Sequence, residues 1–173
     1  MDKKELRKKY IDVRHHIIDK DKKSLIIKDK LLSILDKYDS IGIYVSMDDE
    51  VSTGGIIEEL LKSGKTILVP KVVDFNIHFY QIHSLNELSM SNSKYHIREP
   101  ISNNIYKQPI SAMIIPGIVF DASNNRLGFG GGYYDKYLAT YSGYKIGICF
   151  KEQLIDKIHT DEWDIKMDIV ITD

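Results

Sequence analysis

The chain has 173 residues, with 24 basic and 25 acidic side chains, so its formal net charge at pH 7 is −1. Hydrophobic residues make up 43% of the chain and charged residues 28%, which is ordinary for a globular protein long enough to bury one core. The near-balance of charge argues against a nucleic-acid binder that relies on a broad positive surface.

The first ten residues lack the apolar core of a signal peptide, and no later run is long enough to span a bilayer. We therefore expect a cytoplasmic, monomeric protein of one domain, residues 1–173, that binds neither membrane nor nucleic acid. Cys149 is the only cysteine, so it cannot form a disulfide within the chain. Because it lies in a strand-like run, we interpret it as a small buried side chain rather than a reactive thiol.

Two helices are predicted at the start of the chain. Apolar residues spaced by three and four predict the first over about residues 3–19, and the second is predicted over about 21–37. Their apolar faces consist of Leu6, Tyr10, Val13 and Ile17, and of Leu25, the Lys28 stem, Leu32 and Leu35. In the first helix, Lys3, Arg7 and Arg14 fall within about 40° of one another. Such a stripe is typical of a solvated helix face, and contact with phosphate is the alternative.

The rest of the chain alternates between short apolar strands and helices. Strands are predicted at about 41–45, 66–69, 77–82, 112–115, 144–150 and 168–172, and helices at about 53–63 and 135–141. Pro70 is expected to stop the second strand, and residues 84–108 receive no assignment. The alternation predicts an α/β fold, a three-layer, Rossmann-like open sheet that is mostly parallel and has helices on both faces.

The most informative segment runs from Ile115 to Asp135. Four of the eleven glycines fall within five positions, between an arginine and a Tyr-Tyr-Asp sequence. The residues concerned are Arg126, Gly128, Gly130, Gly131, Gly132, Tyr133, Tyr134 and Asp135. Because glycine supplies no packing and loses the most entropy on folding, such a cluster favours close approach of bare backbone to a ligand. Between a strand and a helix, it indicates a phosphate cradle followed by an aspartate suited to a metal ion.

The spacing of these glycines fits neither the Walker A motif nor the G-x-G-x-x-G fingerprint, and a flexible hairpin or turn is the alternative interpretation. In a phosphate cradle, Arg126 would donate two hydrogen bonds to phosphate oxygens as a bidentate pair. Asp135 would hold Mg²⁺ together with a second acid, either Asp164 or Asp168. The acidic turn at 48–50 follows the first strand and leaves three roles open: a metal cluster, a plain turn, or a hydrogen-bond acceptor for a heterocycle.

The segment Ile115–Leu138 closely resembles the signature of the 5-formyltetrahydrofolate cyclo-ligase family. That signature is a strand followed by Pro-Gly-x-x-Phe-Asp and then Arg-Leu-Gly-x-Gly-Gly-Gly-Tyr-Tyr-Asp. Weaker similarities follow the family's order along nearly the whole chain. They are Lys3–Arg7, Glu50–Thr53, Gly64–Pro70, Ile97–Pro100 and Asp164–Asp168.

The resemblance implies an α/β enzyme that uses ATP and Mg²⁺ to convert 5-formyltetrahydrofolate to 5,10-methenyltetrahydrofolate, ADP and phosphate by phosphorylating the formyl oxygen. It implies ATP contacts from Lys3, Arg7, Arg126, Leu127, Gly128, Phe129, Gly130, Gly131, Gly132, Tyr133 and Tyr134. It implies folate contacts from Val45, Glu50, Phe129, Gly130, Gly131, Gly132 and Tyr133. Mg²⁺ would bind Asp135 and Asp164, and catalysis would involve Arg126, Tyr133 and Tyr134.

Three positions depart from the family pattern. His159–Thr160 replaces a hydrophobic-Pro pair, Gly54–Gly55 opens a helix that better helix formers usually start, and Tyr95–His96 stands where glycine is frequent. Two other classes of protein stay open at this point. One is a non-catalytic nucleotide- or folate-binding module on the same scaffold, and the other is a sugar-phosphate isomerase, which needs neither a triphosphate nor Mg²⁺.

Overall fold

The computed structural model describes residues 1–92 and 96–173, so Tyr95 lies outside the described residues. The helices are α1 Lys3–His15, α2 Lys20–Leu35, α3 Gly54–Lys62 and α4 Tyr133–Leu138. The strands are β1 Ser40–Ile43, β2 Thr66–Val73, β3 Asn76–Ile82, β4 Leu88–Met90, β5 Arg98–Pro100, β6 Ala112–Ile115, β7 Val119–Asp121, β8 Arg126–Leu127, β9 Tyr144–Ile148, β10 Leu154–Ile155 and β11 Ile169–Ile171. Short 3-10 helices lie at Leu85–Glu87 and Lys151–Gln153.

Six strands form the central sheet in the order β11-β9-β6-β1-β2-β3. Neighbouring strands are parallel except β2 and β3, which form an antiparallel hairpin at one edge. The two strands at the centre, β1 and β6, are buried along their whole length, as expected where both faces of a sheet are covered. The predicted mostly parallel α/β sheet is therefore confirmed.

Helices cover both faces of the central sheet. On one face, α2 and α3 contribute Ile27, Leu31 and Ile56 to the largest buried cluster. On the other face, α4 contributes Leu138 to a second cluster. The first helix packs elsewhere, because α1 covers the small sheet β10-β7-β8 through Leu6. One side of α1 is thus pressed against a sheet that the sequence patterns did not predict.

The two N-terminal helices differ from prediction in their ends and in one buried face. The first ends at His15, and the second begins at Lys20, after the N-cap residue Asp19 in the left-handed region. In α2 the buried residues are Ser24, Ile27, Leu31 and Leu35. Leu35 is buried as predicted, but the rest of the predicted face was wrong by one residue, since Leu25 is 58% exposed. Three consecutive apolar residues, Leu25–Ile27, fit either face, so the spacing alone did not choose between them.

Pro70 does not stop the second strand, which continues from Thr66 to Val73. The strand pairs with β1 only as far as Leu68, and beyond that point it pairs with β3 alone. Proline lacks a backbone N–H, and it is tolerated here because one side of the strand no longer has a partner. The unassigned stretch at 84–108 contains the antiparallel pair β4–β5.

The chain leaves β1 toward β2 on one side and returns to β6 on the other side. The carboxyl ends of β1 and β6 are therefore adjacent, at the point where the strand order reverses. Ligands of open α/β sheets bind beyond the carboxyl ends of the strands at such a point. The two segments that begin there, Tyr44–Thr53 and Pro116–Tyr133, form the candidate site.

Candidate active site

The turn after β1 is held in one shape by its own side chains. The backbone N–H of Ser46 donates to Thr53 Oγ1, and the N–H of Thr53 donates to Ser46 Oγ, each at 3.0 Å. Thr53 also donates its hydroxyl to the Tyr44 carbonyl at 2.8 Å. Inside the turn, the N–H of Met47 donates to Glu50 Oε1 at 2.8 Å. These bonds fix the Glu50 carboxylate on the inner side of the turn, where it is buried.

Arg14 of α1 faces this turn and is only 2% exposed. Its Nε and Nη2 donate to the two carboxylate oxygens of Asp49 at 3.1 and 3.2 Å. Its Nη1 lies 3.9 Å from Glu50 Oε2, too far for a hydrogen bond. Within residues 1–92 and 96–173, this buried Nη1 has no hydrogen-bond partner.

Burial raises the pKa of Glu50 to about 7. The Met47 N–H and the Arg14 charge lower the pKa, and the Asp49 charge raises it, but loss of hydration is the largest influence. Glu50 is therefore poised between its neutral and ionised forms near neutral pH, and a small change in its surroundings is enough to shift the balance.

A narrow crevice lies between this turn and the start of the segment after β6. Its lining consists of Arg14, Tyr44, Glu50, Val51, Gly117, Ile148 and Gln153, and we name it the Arg14–Glu50 crevice. The far wall is fixed by Gln153 Nε2, which donates to the carbonyls of Gly117 and Ile118 at 3.1 and 3.0 Å. The Phe129 ring lies over the Arg14 guanidinium, with 5.5 Å between the Arg14 Cζ and the ring centroid.

Asp121 shapes the hairpin that follows β6. Its carboxylate accepts the backbone N–H groups of Ser123, Asn125 and Ile158 at 2.9, 2.9 and 2.8 Å. Burial alone would raise the pKa of Asp121, but these hydrogen bonds outweigh it and hold the pKa below its usual value. The Phe-Asp of the sequence signature thus has a structural role, because it fixes the hairpin that presents Arg126.

Residues 126–135, which we name the glycine-rich loop, leave this hairpin and lead into α4. Gly130 and Gly132 have φ values of +106° and +71°, a region that other residues rarely adopt. All three glycines at 130–132 are exposed to solvent. Among the described residues, no hydrogen bond uses the backbone N–H of Gly130, Gly131 or Gly132. The loop therefore offers three free donors on its open side.

Two arginines flank these donors. Arg7 Nε donates to the Gly128 carbonyl at 2.8 Å, and Arg126 Nη1 donates to the Pro116 carbonyl at 2.8 Å. A Cβ atom on Gly128 would lie 2.8 Å from Arg126 Nη1, so a glycine makes room for this guanidinium. Burial lowers the pKa of Arg126, and the Asp135 charge opposes that shift. In the part of the chain that the structure describes, the buried Arg126 Nε has no hydrogen-bond partner.

The candidate metal ligands lie on the other side of Arg126. Asp135 Oδ2 is 3.7 Å from Arg126 Nη2, and Asp135 Oδ1 accepts the backbone N–H of Ile165 at 3.2 Å. Asp164 is the residue next to Ile165, and its charge interacts with that of Arg126. Asp168 instead accepts the backbone N–H of Lys145 at 2.7 Å, beside β9. Of the two acids considered as partners for Asp135, Asp164 is therefore the one that adjoins the Arg126–Asp135 pair.

Within residues 1–92 and 96–173 there is no group of three or more His, Cys, Asp or Glu side chains that could hold a metal ion. Mg²⁺ is commonly bound through one or two carboxylates, with the remaining ligands supplied by substrate phosphates and water. The pair Asp135 and Asp164 would fit that requirement with a phosphate bound, whereas the described residues form no site made of protein ligands alone.

The three basic residues of the stripe predicted on α1 contact three different parts of the protein. Lys3 Nζ donates to Asp161 and Asp164 at 2.6 and 2.5 Å. Burial lowers the pKa of Lys3, but the two aspartates together raise it above its usual value. Arg7 lies on the glycine-rich loop and Arg14 on the acidic turn. A solvated face is therefore the wrong interpretation for Arg14, and its neighbours, Asp49 and Glu50, are acids rather than phosphate-binding groups.

Other predicted site residues lie in or beside the buried clusters. The side chains of Val45 and Leu127 are buried with apolar neighbours. The Tyr134 ring lies over the Arg126 guanidinium at 5.5 Å, and burial raises the pKa of its hydroxyl, so Tyr134 keeps its proton. Tyr133 is 36% exposed beside Gly131. Cys149 is 1% exposed, and burial raises the pKa of its thiol, which confirms a structural role.

Two members of the site were missed in the sequence, Arg14 as a partner of the acidic turn and Gln153 as a support of Gly117. The signal for Arg14 was present. It follows Tyr10 by four residues and therefore lies on the apolar face of α1 rather than beside it. Gln153 gave no comparable signal, because its partners are backbone carbonyls of a distant segment.

Known proteins resemble this chain in sequence and in fold. The sequence pattern that describes the 5-formyltetrahydrofolate cyclo-ligase family matches residues 1–173. The chain is 32% identical over 142 residues to the 5-formyltetrahydrofolate cyclo-ligase of Escherichia coli K12, an alignment that covers 77% of each chain.

Two solved structures have the same fold. The 5,10-methenyltetrahydrofolate synthetase of Mycoplasma pneumoniae is 30% identical and superposes with a TM-score of 0.79 over 99% of both chains. The 5,10-methenyltetrahydrofolate synthetase of Aquifex aeolicus, solved by NMR, is 30% identical with a TM-score of 0.84, over 99% of this chain and 89% of that one.

The fold and these relatives thus define an α/β enzyme. The chain belongs to the 5-formyltetrahydrofolate cyclo-ligase family. In the described residues, every helix is too short or too polar to cross a membrane.

Proposed function

We propose that the protein catalyses the ATP- and Mg²⁺-dependent cyclisation of 5-formyltetrahydrofolate to 5,10-methenyltetrahydrofolate, with release of ADP and phosphate. The observation that carries this proposal is the row of free backbone N–H donors at Gly130, Gly131 and Gly132, flanked by Arg7 and Arg126. Backbone donors and guanidinium groups together are suited to the oxygens of terminal phosphates. The membership of the chain in the family supports the choice of substrate.

On the ATP side, the proposed contacts come from Lys3, Arg7 and the glycine-rich loop. Asp135 and Asp164 would hold Mg²⁺, which when bound neutralises negative charge on the phosphates. Lys3 already lies against Asp164, so the acid that would bind the metal is held in a fixed position before the nucleotide arrives. Burial on its own would raise the pKa of Asp164, but hydrogen bonds and nearby cations hold it below the usual value, so the side chain is ionised as a metal ligand must be.

On the folate side, Glu50 is the proposed acceptor for N–H donors of the pterin. Phe129 and Tyr133, which are 42% and 36% exposed on the loop, offer flat surfaces on which aromatic rings of the substrate can stack. Val45 lies at the carboxyl end of β1, next to the turn that carries Glu50. Because the loop contributes both phosphate donors and stacking rings, it brings the two substrates together.

The chemistry we propose needs positioning and charge neutralisation more than a protein nucleophile. The formyl oxygen attacks the γ-phosphorus, the bond from that phosphorus to ADP breaks, and an iminium phosphate forms. The neighbouring anilino nitrogen then attacks the formyl carbon and loses its proton, and the bond from carbon to the phosphate oxygen breaks. Arg126 and the loop N–H groups stabilise charge on the transferred group. Tyr133 and Tyr134 orient the formyl group, with Tyr134 acting as a protonated donor.

The test is to mix the protein with Mg·ATP and 5-formyltetrahydrofolate and to follow methenyl-folate absorbance and phosphate release together. We expect one phosphate for each methenyl product, and no product when either substrate or Mg²⁺ is left out. Binding of both substrates without product would contradict the proposal and favour a non-catalytic binding module. Phosphate release that does not depend on the folate would also contradict it.

A further inference from the structure

Only one side of the Arg14 guanidinium makes hydrogen bonds with the described residues. Asp49 accepts from Nε and Nη2 in a bidentate pair, which holds the guanidinium plane in one orientation. The remaining group, Nη1, is buried and has no acceptor among the described residues. Because buried donors are nearly always hydrogen-bonded in folded proteins, an orphan of this kind indicates a missing partner.

The carboxylate oxygen that faces this donor also has no hydrogen-bond partner among the described residues. Glu50 uses Oε1 to accept from Met47. Its Oε2 lies 3.9 Å from Arg14 Nη1 and accepts no hydrogen bond from any residue in 1–92 or 96–173. The two side chains therefore present one donor and one acceptor side by side in the lining of the Arg14–Glu50 crevice.

The charge around these atoms argues against an anion as the missing partner. The guanidinium charge is already balanced by the carboxyl groups of Asp49 and Glu50, so no net positive charge remains to attract an anion. The Phe129 ring covers the guanidinium from the loop side. A flat, neutral ligand that carries an acceptor next to a donor on one edge meets both conditions, because it can stack on the ring and pair with both free atoms.

The pterin ring has such an edge, in which the 4-oxo group accepts and the adjacent N3–H and 2-amino groups donate. We infer that Arg14 is a pterin-binding residue whose Nη1 donates to the 4-oxo oxygen while Glu50 accepts from the neighbouring N–H groups. This inference rests on the proposed function, since it takes the folate as the ligand. It adds a residue that donates a hydrogen bond to the pterin oxygen, whereas Glu50 accepts hydrogen bonds from the pterin N–H groups.

The test uses 5-formyltetrahydrofolate labelled with carbon-13 at C4 and omits ATP, so that no turnover occurs. Donation from a guanidinium to the 4-oxo oxygen moves the C4 resonance of the bound ligand downfield of the free ligand. We expect Arg14→Met to lose this displacement and to bind the folate about tenfold or more weakly. The control, Lys8→Met, removes an exposed cation from the same helix and should leave both readings unchanged.

Arg14→Lys keeps a positive charge beside Asp49 and so protects the fold if the methionine variant is unstable. A lysine has no planar fork, so it cannot serve Asp49 and the 4-oxo oxygen together, and we expect a smaller displacement and weaker folate binding. A bound C4 resonance that matches the free ligand in the unsubstituted protein would overturn the inference. So would a displacement that survives in Arg14→Lys at full size.

These outcomes are distinct from failure of the proposed function. A protein that binds the folate with the displaced C4 resonance but makes no methenyl product keeps Arg14 in its role and loses the catalytic proposal. A protein that does not bind the folate at all loses both. ATP affinity should change less than folate affinity in the Arg14 variants, because Arg14 meets the proposed ATP contacts of the glycine-rich loop only through the Phe129 ring.

Discussion

The glycine-rich loop and the Arg14–Glu50 crevice lie side by side but differ in solvent exposure and in the charge of the groups they present. The loop is exposed, and its donors are backbone N–H groups with two arginines beside them. In the crevice the charged side chains are buried, and its arginine is held by a carboxylate. An exposed, positive surface suits a highly charged ligand, and a buried, nearly balanced one suits a neutral ring.

The carboxyl groups of the two regions also differ, because their pKa values are shifted in opposite directions. Asp164, near the loop, has its pKa held below the usual value by the Asp161 N–H, Lys3 and Arg126, which together outweigh burial. Glu50, in the crevice, has its pKa raised to about 7 because loss of hydration dominates. Neighbouring carboxylates with pKa values pushed in opposite directions commonly have different tasks. In the proposed function, the ionised acid would bind the metal ion and the acid with the raised pKa would bind the pterin.

Among the substitutions that test this comparison, we expect Asp135→Asn to have the largest effect on turnover. Asp135→Asn keeps the size of the side chain and its bond to the Ile165 N–H, but removes the charge that faces Arg126. Without that charge, the metal-bound nucleotide loses a ligand. We expect turnover at saturating folate to fall about 10²-fold or more, measured by methenyl-folate absorbance over a range of Mg²⁺ concentrations, with folate affinity nearly unchanged.

Asp168→Asn is the matched control for this prediction, because Asp168 also accepts a backbone N–H, that of Lys145, but lies beside β9. Asp164→Asn should resemble Asp135→Asn, since Asp164 is the acid next to Lys3. Equal losses of folate affinity and of Mg·ATP use in Asp135→Asn would break the separation between the two regions. A loss confined to Asp168→Asn would move the metal away from the loop.

The next largest effect is expected for Arg126, whose replacement should weaken ATP binding. Removing a hydrogen-bonding partner of a charged group costs about 1.5–3 kcal/mol, which corresponds to roughly 10- to 150-fold in affinity. We expect Arg126→Ala to weaken ATP binding by that factor, measured by calorimetric titration without folate. Arg126→Lys keeps the charge but not the fork, so its loss should be smaller.

Because Arg126 is 8% exposed, its truncation also affects packing, and the melting temperature of each variant must be recorded beside the titration. Folate affinity serves as the internal control, since Asp49, Thr53 and Gln153 hold most of the crevice and Arg126 supports it only through the Pro116 carbonyl. Unchanged ATP affinity in a folded Arg126→Ala variant would remove Arg126 from the nucleotide site.

Much of this arrangement follows from local sequence patterns. Continuous apolar strands such as 112–115 predicted a covered parallel sheet, and the glycines at 130–132 predicted an exposed backbone. The acidic turn and the glycine-rich loop were expected at the carboxyl ends of strands, where both lie. These features depend on residues close together in the chain, and for that reason composition and spacing are informative about them.

What the sequence did not give depends on contacts between distant segments. The three-stranded sheet β10-β7-β8 is built from strands of two or three residues, too short for a periodic signal. Because α1 packs on that sheet, the side of α1 that carries Arg14 is buried, although charge alone favoured solvent. The pairing of Arg14 with Asp49 joins residues 35 positions apart, and helical spacing carries no information about such a partner.

The smallest expected effect concerns pH and Glu50. Since burial raises the pKa of Glu50 from 4.5 to about 7, the ionised fraction increases steeply across neutral pH. If the ionised form accepts the pterin N–H groups, folate affinity should rise about tenfold between about pH 6 and pH 8. Glu50→Gln has no charge to titrate, so its affinity should be weaker at high pH and flat over the same range.

Stability of the ligand-free protein should move in the opposite direction. A carboxyl group whose pKa is raised by folding stabilises the native state when it is protonated, so its contribution is complete below about pH 4.5 and is lost as the pH rises through about 7. The free energy of unfolding of the natural chain, compared with Glu50→Gln by urea titration, should therefore fall across this window while folate affinity rises. A difference between the two proteins that stays constant with pH would mean that Glu50 is already ionised in the fold. The contrast between an ion-binding loop and a crevice for a neutral ring would then have to rest on Arg14 alone.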